Sequence, residues 1–368
     1  MSQLTKNDVI RYLLNPKDSL ELSLKQWSEL IMILREVELL ARFSYLISEQ
    51  NLIEQLPLKV QQHLQSAQTK ADRQAKQAIY EAEQLANNVK ASNITPIFLK
   101  GVAYTLLNNK ASLGRTYSDM DILVNKADLK TIERRLSLFG WFGKKSDDYD
   151  EKYYREWAHE IPPLYQASRG TVADIHHNLL PPISGKAPDI KMFTENTLMT
   201  KQGLLTLSKA GLVMHSIIHL FFNEDFSHAF RDITDLHLLF TEEDQKSEFW
   251  QELIELSIKS QFETELFYAV RYCQELTETH FPVEFLTTVN KAKPTTFKLT
   301  FSDFIFKQVL YPNHSSFRNW QYSIANFFAI CRGHILKMPL HILLYHTAHK
   351  LYVQIFKSDN AADKVHAK

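Results

Sequence analysis

Apolar positions along the chain fall into three regimes. From Leu24 to Ile47 they recur mostly at three- and four-residue steps (Leu30, Ile33, Leu34, Val37, Leu40, Phe43, Leu46, Ile47), the period of a helix that buries one face. Leu58 to Val89 is rich in Ala, Gln, Glu and Lys and free of Gly and Pro, and predicts a long polar helix serving as a cover or a partner surface. From about residue 93 the period changes. Ile97-Phe98-Leu99, after Pro96, is a short apolar run ended by Lys100-Gly101; it reads as a buried strand, with a helix from Val102 to Asn109 behind it. Asp119-Met120-Asp121-Ile122-Leu123-Val124 alternates and then stays apolar, as a central strand does. Asp128 to Phe139 predicts a helix closed by Gly140. Two further strands are expected over Ile161–Ala167 and Thr171–Asn178, the first at an edge because of Pro162 and Pro163. From about 190 to 357 the helical period returns, clearest over Lys209–Asn223, Phe230–Thr241, Glu248–Glu278 and Thr300–Val309.

This order predicts a helix-rich α+β fold, a small mixed β-sheet core flanked by N-terminal and C-terminal helical regions. The expected units are a helical region over 1–92, an α/β core over 93–185, a helical domain over 186–357 and a polar tail over 358–368.

Composition narrows the function. Lys+Arg and Asp+Glu cancel at 42 each, which argues against wrapping long nucleic acid by charge alone. The nine glycines form neither G-x-G-x-x-G nor G-x-x-x-x-G-K-[ST], so a Rossmann dinucleotide loop and a P-loop are both excluded. Cys273 and Cys331 alone provide no disulfide framework and no cysteine-based zinc site, which fits a reducing compartment. Met1-Ser2-Gln3 opens polar with no apolar stretch of a secretory signal, so the chain is expected in the cytoplasm.

The sharpest chemical feature is Asp119-x-Asp121. Side chains two apart on a strand share a face, and two carboxylates held together repel unless a cation lies between them. Asp174, in the alternating segment Val172-Ala173-Asp174-Ile175-His176, adds a third acid on a neighbouring strand. Three carboxylates so placed suit metal-assisted displacement at phosphorus. The competing reading, a solvated turn, is weakened by the apolar run that follows Asp121.

Phe98-Leu99-Lys100-Gly101, Arg115, Ser118-Asp119-Met120-Asp121-Ile122-Leu123-Val124 and Asp174-Ile175-His176 together resemble the uncharacterised bacterial nucleotidyltransferase family of the DNA-polymerase-β superfamily. The resemblance covers most of residues 25 to 245. It implies that Asp119 and Asp121 hold the metals carrying a nucleoside triphosphate, Mg²⁺ or else Mn²⁺. It also implies that Asp174 shares a metal and helps activate the attacking hydroxyl, and that the Lys100-Gly101 turn approaches the phosphates. Gly101 is followed by Val102, where the superfamily has Gly or Ser, and the spacing to the acid pair is long. Lys100 then either replaces backbone contacts with a point charge or is a solvated strand-end lysine. Arg115 is placed to reach triphosphate oxygens, a solvated loop arginine being the alternative. Ser118 either orients Asp119 or caps the strand. His176 shares a strand face with Asp174 and can bond a phosphate, a metal-bound water or a carboxylate; His177 points the other way. The implied activity is transfer of a nucleoside monophosphate from an NTP to a hydroxyl acceptor, on a protein, an RNA or a small molecule, with release of pyrophosphate. The alternative is a nucleotide-binding regulator or degenerate enzyme acting through protein or membrane-surface contacts.

His215-x3-His219 has the spacing of two zinc ligands but lacks the Glu of a zincin, so core hydrogen bonding is the favoured reading. The resemblance suggests that His219, Arg231 and Asp235 brace the helical domain against the sheet, and Arg231 and Asp235 stand at the spacing of a helix-surface pair. Residues 327 to 357 are apolar and aromatic, punctuated by Arg332, Lys337, His341, His346, His349 and Lys350. No uninterrupted run is long enough for a transmembrane span. A peripheral membrane contact divided at Pro339 stands beside the alternative of a helix packed on the core with a basic outer face.

Overall fold

In the computed structural model, described for residues 3–143, 148–243 and 246–356, helices enclose a mixed sheet of seven strands. The strands are β1 (Ile97–Phe98), β2 (Met120–Leu123), β3 (Trp141–Gly143), β4 (Leu164–Gln166), β5 (Val172–His176), β6 (Thr197–Met199) and β7 (Leu205–Leu207), in the spatial order β3-β4-β5-β2-β1-β7-β6. β2 is buried at all four positions and runs parallel to β5, while β1 pairs antiparallel with β2 and parallel with β7. The helix-rich α+β fold is therefore as the sequence predicts. β4, expected at an edge because of Pro162 and Pro163, lies between β3 and β5, the prolines standing before the paired residues; the sheet also takes in β3 and a hairpin, β6–β7, which the sequence reading passed over. Its three-residue strands are too short for a period-two signal to stand out.

Two predicted helices are broken. The Leu24–Ile47 run divides into Leu24–Glu36 and Leu40–Glu49 at Glu38, which takes a left-handed backbone (φ 59°). The Glu248–Glu278 run divides into Ser247–Ser260 and Glu263–Thr277 at Gln261, likewise left-handed (φ 63°). Neither break is at a Gly or a Pro, so hydrophobic periodicity runs straight across both. The helix Leu58–Lys90 is continuous over 33 residues.

One hydrophobic cluster runs from Leu4 through the strands to Ala329, so the N-terminal helices, the sheet and the later helices share a core. Gly114 marks the tightest approach. Its backbone is left-handed (φ 67°), and a Cβ there would stand 2.3 Å from the Arg42 amide nitrogen, which only glycine avoids.

Candidate active site

β2 and β5 place the acids. Residues in register on adjacent strands point the same way, as do alternate residues of one strand. Asp121 pairs in register with Asp174, and Leu123 with His176, so Asp121, Asp174 and His176 share one face of the sheet. Asp119 stands just before β2, exposed, with the Ser118 hydroxyl donating to its carboxylate.

The three carboxyls meet different electrostatics. Burial alone would raise Asp121, but Lys100 Nζ, 3.4 Å from Oδ2, and His176 Nε2, 3.0 Å from Oδ1, outweigh it and hold the group far below the usual carboxylate range. His176 is clamped on its other side, with Nδ1 3.2 Å from Glu160 Oε2. Burial would lower this imidazole, but the carboxylates of Glu160 and Asp121 outweigh it and push its pKa up, favouring the charged form between them. Asp174 forms no ion pair among the described residues, and the pull of His176 on it is outweighed. Burial first, then the charges of Asp121, Glu160 and Asp119, push its carboxyl up to about 7. Its Oδ1 is buried and has no hydrogen-bond partner among the described residues. Asp119 is raised too, by desolvation and then by Asp121, against the pull of Lys100.

Beside Asp119 a cleft of about 210 Å³ opens. Gln74, Gln77 and Glu81 of the long Leu58–Lys90 helix line one wall, and Ser118 and Asp119 face Gly170 and Thr171 of the β4–β5 turn. Glu81, itself buried, holds that turn by an ion pair with Arg169. The long polar helix thus forms a wall of the site as well as a cover.

Several sequence expectations need correction. Lys100 and Gly101 form no turn: they are the first residues of the helix Lys100–Leu107, and Gly101 is buried against Arg115 and Tyr117. Lys100 nonetheless reaches the site, since the Leu99 amide donates to the Asp121 carbonyl and sets the helix start beside that acid. Arg115 is not at the cleft. Its side chain is buried and ion-paired with Asp235, because the loop before β2 turns inward under the helix Ala229–Glu242. Asp235 also takes Arg42 Nη2 at 2.7 Å, and Arg42 further donates to Thr234 Oγ1 and the Ala111 carbonyl, both at 2.8 Å. Arg231 pairs with Glu38 and Asp232 in place of Asp235, so the expected four-residue pair does not form. Burial holds His215 down at about 3, and its Nδ1 finds no partner among the described residues. His177 is buried.

Glu160, Gln74 and Gln77 are site residues that sequence reasoning missed. Glutamines on a polar helix carry no signal, whereas Glu160, in the His159-Glu160 pair ahead of two prolines, had one. As donors, Asp119 and Asp174 offer oxygens without a close cation, while both oxygens of Asp121 are already engaged. The set suits a hard divalent cation rather than a soft one. No curated protein matches the chain. A family model described as uncharacterised nucleotidyltransferase matches residues 23–278, a span containing all three acids, Lys100, His176 and the cleft wall. The chain belongs to this family of uncharacterised nucleotidyltransferases.

Proposed function

We propose that the protein transfers a nucleoside monophosphate from an NTP to a hydroxyl acceptor, releasing pyrophosphate, with Mg²⁺ held by Asp119, Asp121 and Asp174. The observation that carries this reading is the Asp121–Asp174 register pair. A buried acid, Asp121, and a half-buried one, Asp174, stand side by side across parallel strands, the first held far below the usual carboxylate range and the second raised to about 7 with an oxygen that has no partner among the described residues. Such a pair is costly in a purely structural role and useful where cationic phosphate complexes bind. Bound there, a divalent cation supplies charge neutralisation at the phosphate oxygens. Lys100, at the first turn of its helix, adds a point charge beside the helix's positive end, which suits triphosphate oxygens. His176 fixes Asp121 in place. Asp174 Oδ1 accepts the proton of the attacking hydroxyl, as a carboxyl poised near neutrality does well. The cleft beside Asp119 takes the acceptor against Gln74 and Gln77.

One observation favours a second reading, nucleotide binding without transfer: the Asp121 oxygens are occupied by Lys100 and His176. Calorimetric titration of each NTP with Mg²⁺, followed by acceptor screening with the labelled nucleotide, separates the two. Metal-dependent binding abolished in the Asp119→Ala/Asp121→Ala variant, together with pyrophosphate release, supports transfer. Binding of that kind without release to any acceptor supports the second reading, and failure to bind any NTP overturns both.

A further inference from the structure

The helices after residue 295 invert the usual pattern of a core-packed helix. On Trp320–Lys337, the residues turned inward are small: Ala325, Ala329 and Gly333, four apart, are buried, and a Cβ at Gly333 would stand 2.5 Å from the Asn223 carbonyl oxygen. The residues turned outward are large. Trp320 (69% exposed), Ile324, Phe327 (61%) and Ile335 (61%) recur at helical spacing along one stripe, flanked by exposed Phe328. The neighbouring helix Thr296–Val309 repeats the arrangement with Phe297, Phe301 and Phe304, and the rings of Phe301 and Phe328 join the two stripes at 5.5 Å. Beyond a sharp bend of 119° at Met338-Pro339, Leu340, Leu344 and Leu351 continue an exposed apolar row on Leu340–Phe356. Twelve of the 23 large hydrophobic side chains that are exposed among the described residues lie between Phe297 and Leu351. That density far exceeds scattered surface apolarity.

Charge identifies what covers this face. Between Asp303 and Asp359 there is no acidic residue, while Lys307, Arg318, Arg332, Lys337, Lys350 and Lys357 lie in the same stretch. Lys307, Arg318 and Lys337 reach back to Glu275, Glu36 and Glu224, which places them where the face meets the body; Lys298 and Lys350 are exposed beside the stripes. Aromatic and aliphatic stripes bordered by cations, with Asp303 the one acid on these three helices and turned to Arg271, match an anionic lipid headgroup layer. A second copy of this chain seated on the same face would set like-charged borders against each other. No single described helix is long and apolar enough to cross a bilayer.

We propose that helices Thr296–Val309, Trp320–Lys337 and Leu340–Phe356 form a face that lies on an anionic membrane surface. The same face is tied to the catalytic half. The Tyr149 hydroxyl shares a hydrogen bond with His346 Nδ1 (2.8 Å) and its ring stacks on His349 (3.7 Å), and the segment that follows Tyr149 leads directly to His159-Glu160 beside His176. Lipid docking therefore delivers the nucleotidyl-transfer site to acceptors at the membrane surface.

The test is co-sedimentation of the full chain with vesicles of phosphatidylcholine alone and of phosphatidylcholine with phosphatidylglycerol, alongside light scattering of the free protein. The wild type is expected to bind the anionic vesicles, less so at high salt. The Trp320→Ser/Phe327→Ser/Ile335→Ser variant is expected to lose about tenfold or more of that partitioning. Because those side chains are exposed, its melting temperature should stay near wild type. Phe297→Ser/Phe301→Ser, on a separate helix, repeats the test if the triple variant unfolds. Wild type that ignores anionic vesicles, or variants that bind as wild type does, overturn the proposal. A dimer that the same substitutions dissociate, without vesicle binding, overturns it in favour of self-association.

Discussion

Two clusters of acids and bases lie behind and beside β2, built from the same residue types and arranged to opposite ends. Around Asp235, two buried guanidiniums share one carboxylate, with Thr234 and the Ala111 carbonyl taking further donors. Around Asp174, three carboxylates crowd together and one buried oxygen has no partner among the described residues. The first cluster matches charge with countercharge, although Arg115 Nε has no hydrogen-bond partner among the described residues, and it ties helix Leu40–Glu49, the loop carrying Arg115 and helix Ala229–Glu242 into one body. The second is left open toward anything that brings positive charge. Buried ionic groups cost least when opposite charges are paired, so the surplus of carboxylates that pushes Asp174 up to about 7 sets the second cluster apart.

Substitutions should separate the two clusters. The largest effect is expected from Asp119→Ala/Asp121→Ala, which should lower nucleotidyl transfer by three orders of magnitude or more, roughly 4 kcal/mol of transition-state stabilisation, measured as pyrophosphate release. Next is Asp235→Ala, which strands Arg42 and Arg115 in the interior and should cost about 3–5 kcal/mol of stability, read by denaturant unfolding. If Asp235→Ala left stability intact, the brace would be no brace.

Asp174→Asn tests the open cluster by pH. A carboxyl raised to about 7 in the fold, against an ordinary 3.9 in the unfolded chain, keeps a proton that the unfolded state gives up. The stability contributed by this one group therefore falls as pH rises from about 4 to about 7. In metal-free buffer the variant should melt near wild type at pH 4 and above it at pH 8; equal melting at pH 8 would contradict the shift. Lys100→Ala should weaken NTP binding by about tenfold, near 1.4 kcal/mol, by calorimetry. Smallest is Arg155→Ala, which removes partly exposed pairs to Glu133 and Glu151 and should cost under about 1 kcal/mol.

Where strand periodicity was strong, the sequence was readable to within a residue or two. Asp174 and His176 are expected on one face of their strand by its period of two, while their sharing that face with Asp121 comes from the β2–β5 register, which the sequence does not carry. Arg115 was misread because a loop position says nothing about which way the side chain turns; its partner, Asp235, lies 120 residues away. The Glu38 break was invisible because the residue that leaves the helix is held from outside, by Arg231 and His228. Gln74 and Gln77 sit on a helix face whose polarity reads as ordinary solvent exposure, and only its packing over the β4–β5 turn makes that face a wall.

That packing bears on how the chain is inherited. The Leu58–Lys90 helix grips the turn at Arg169 through Glu81 and supplies half of the cleft, and Gly114 lets the loop before β2 approach the backbone of Arg42. A recombination junction near residue 92 would separate the acids of the sheet from the helix that walls their cleft, and it would leave Glu81 and Arg42 facing strangers. The helical front and the sheet are one modular unit, to be exchanged whole or not at all.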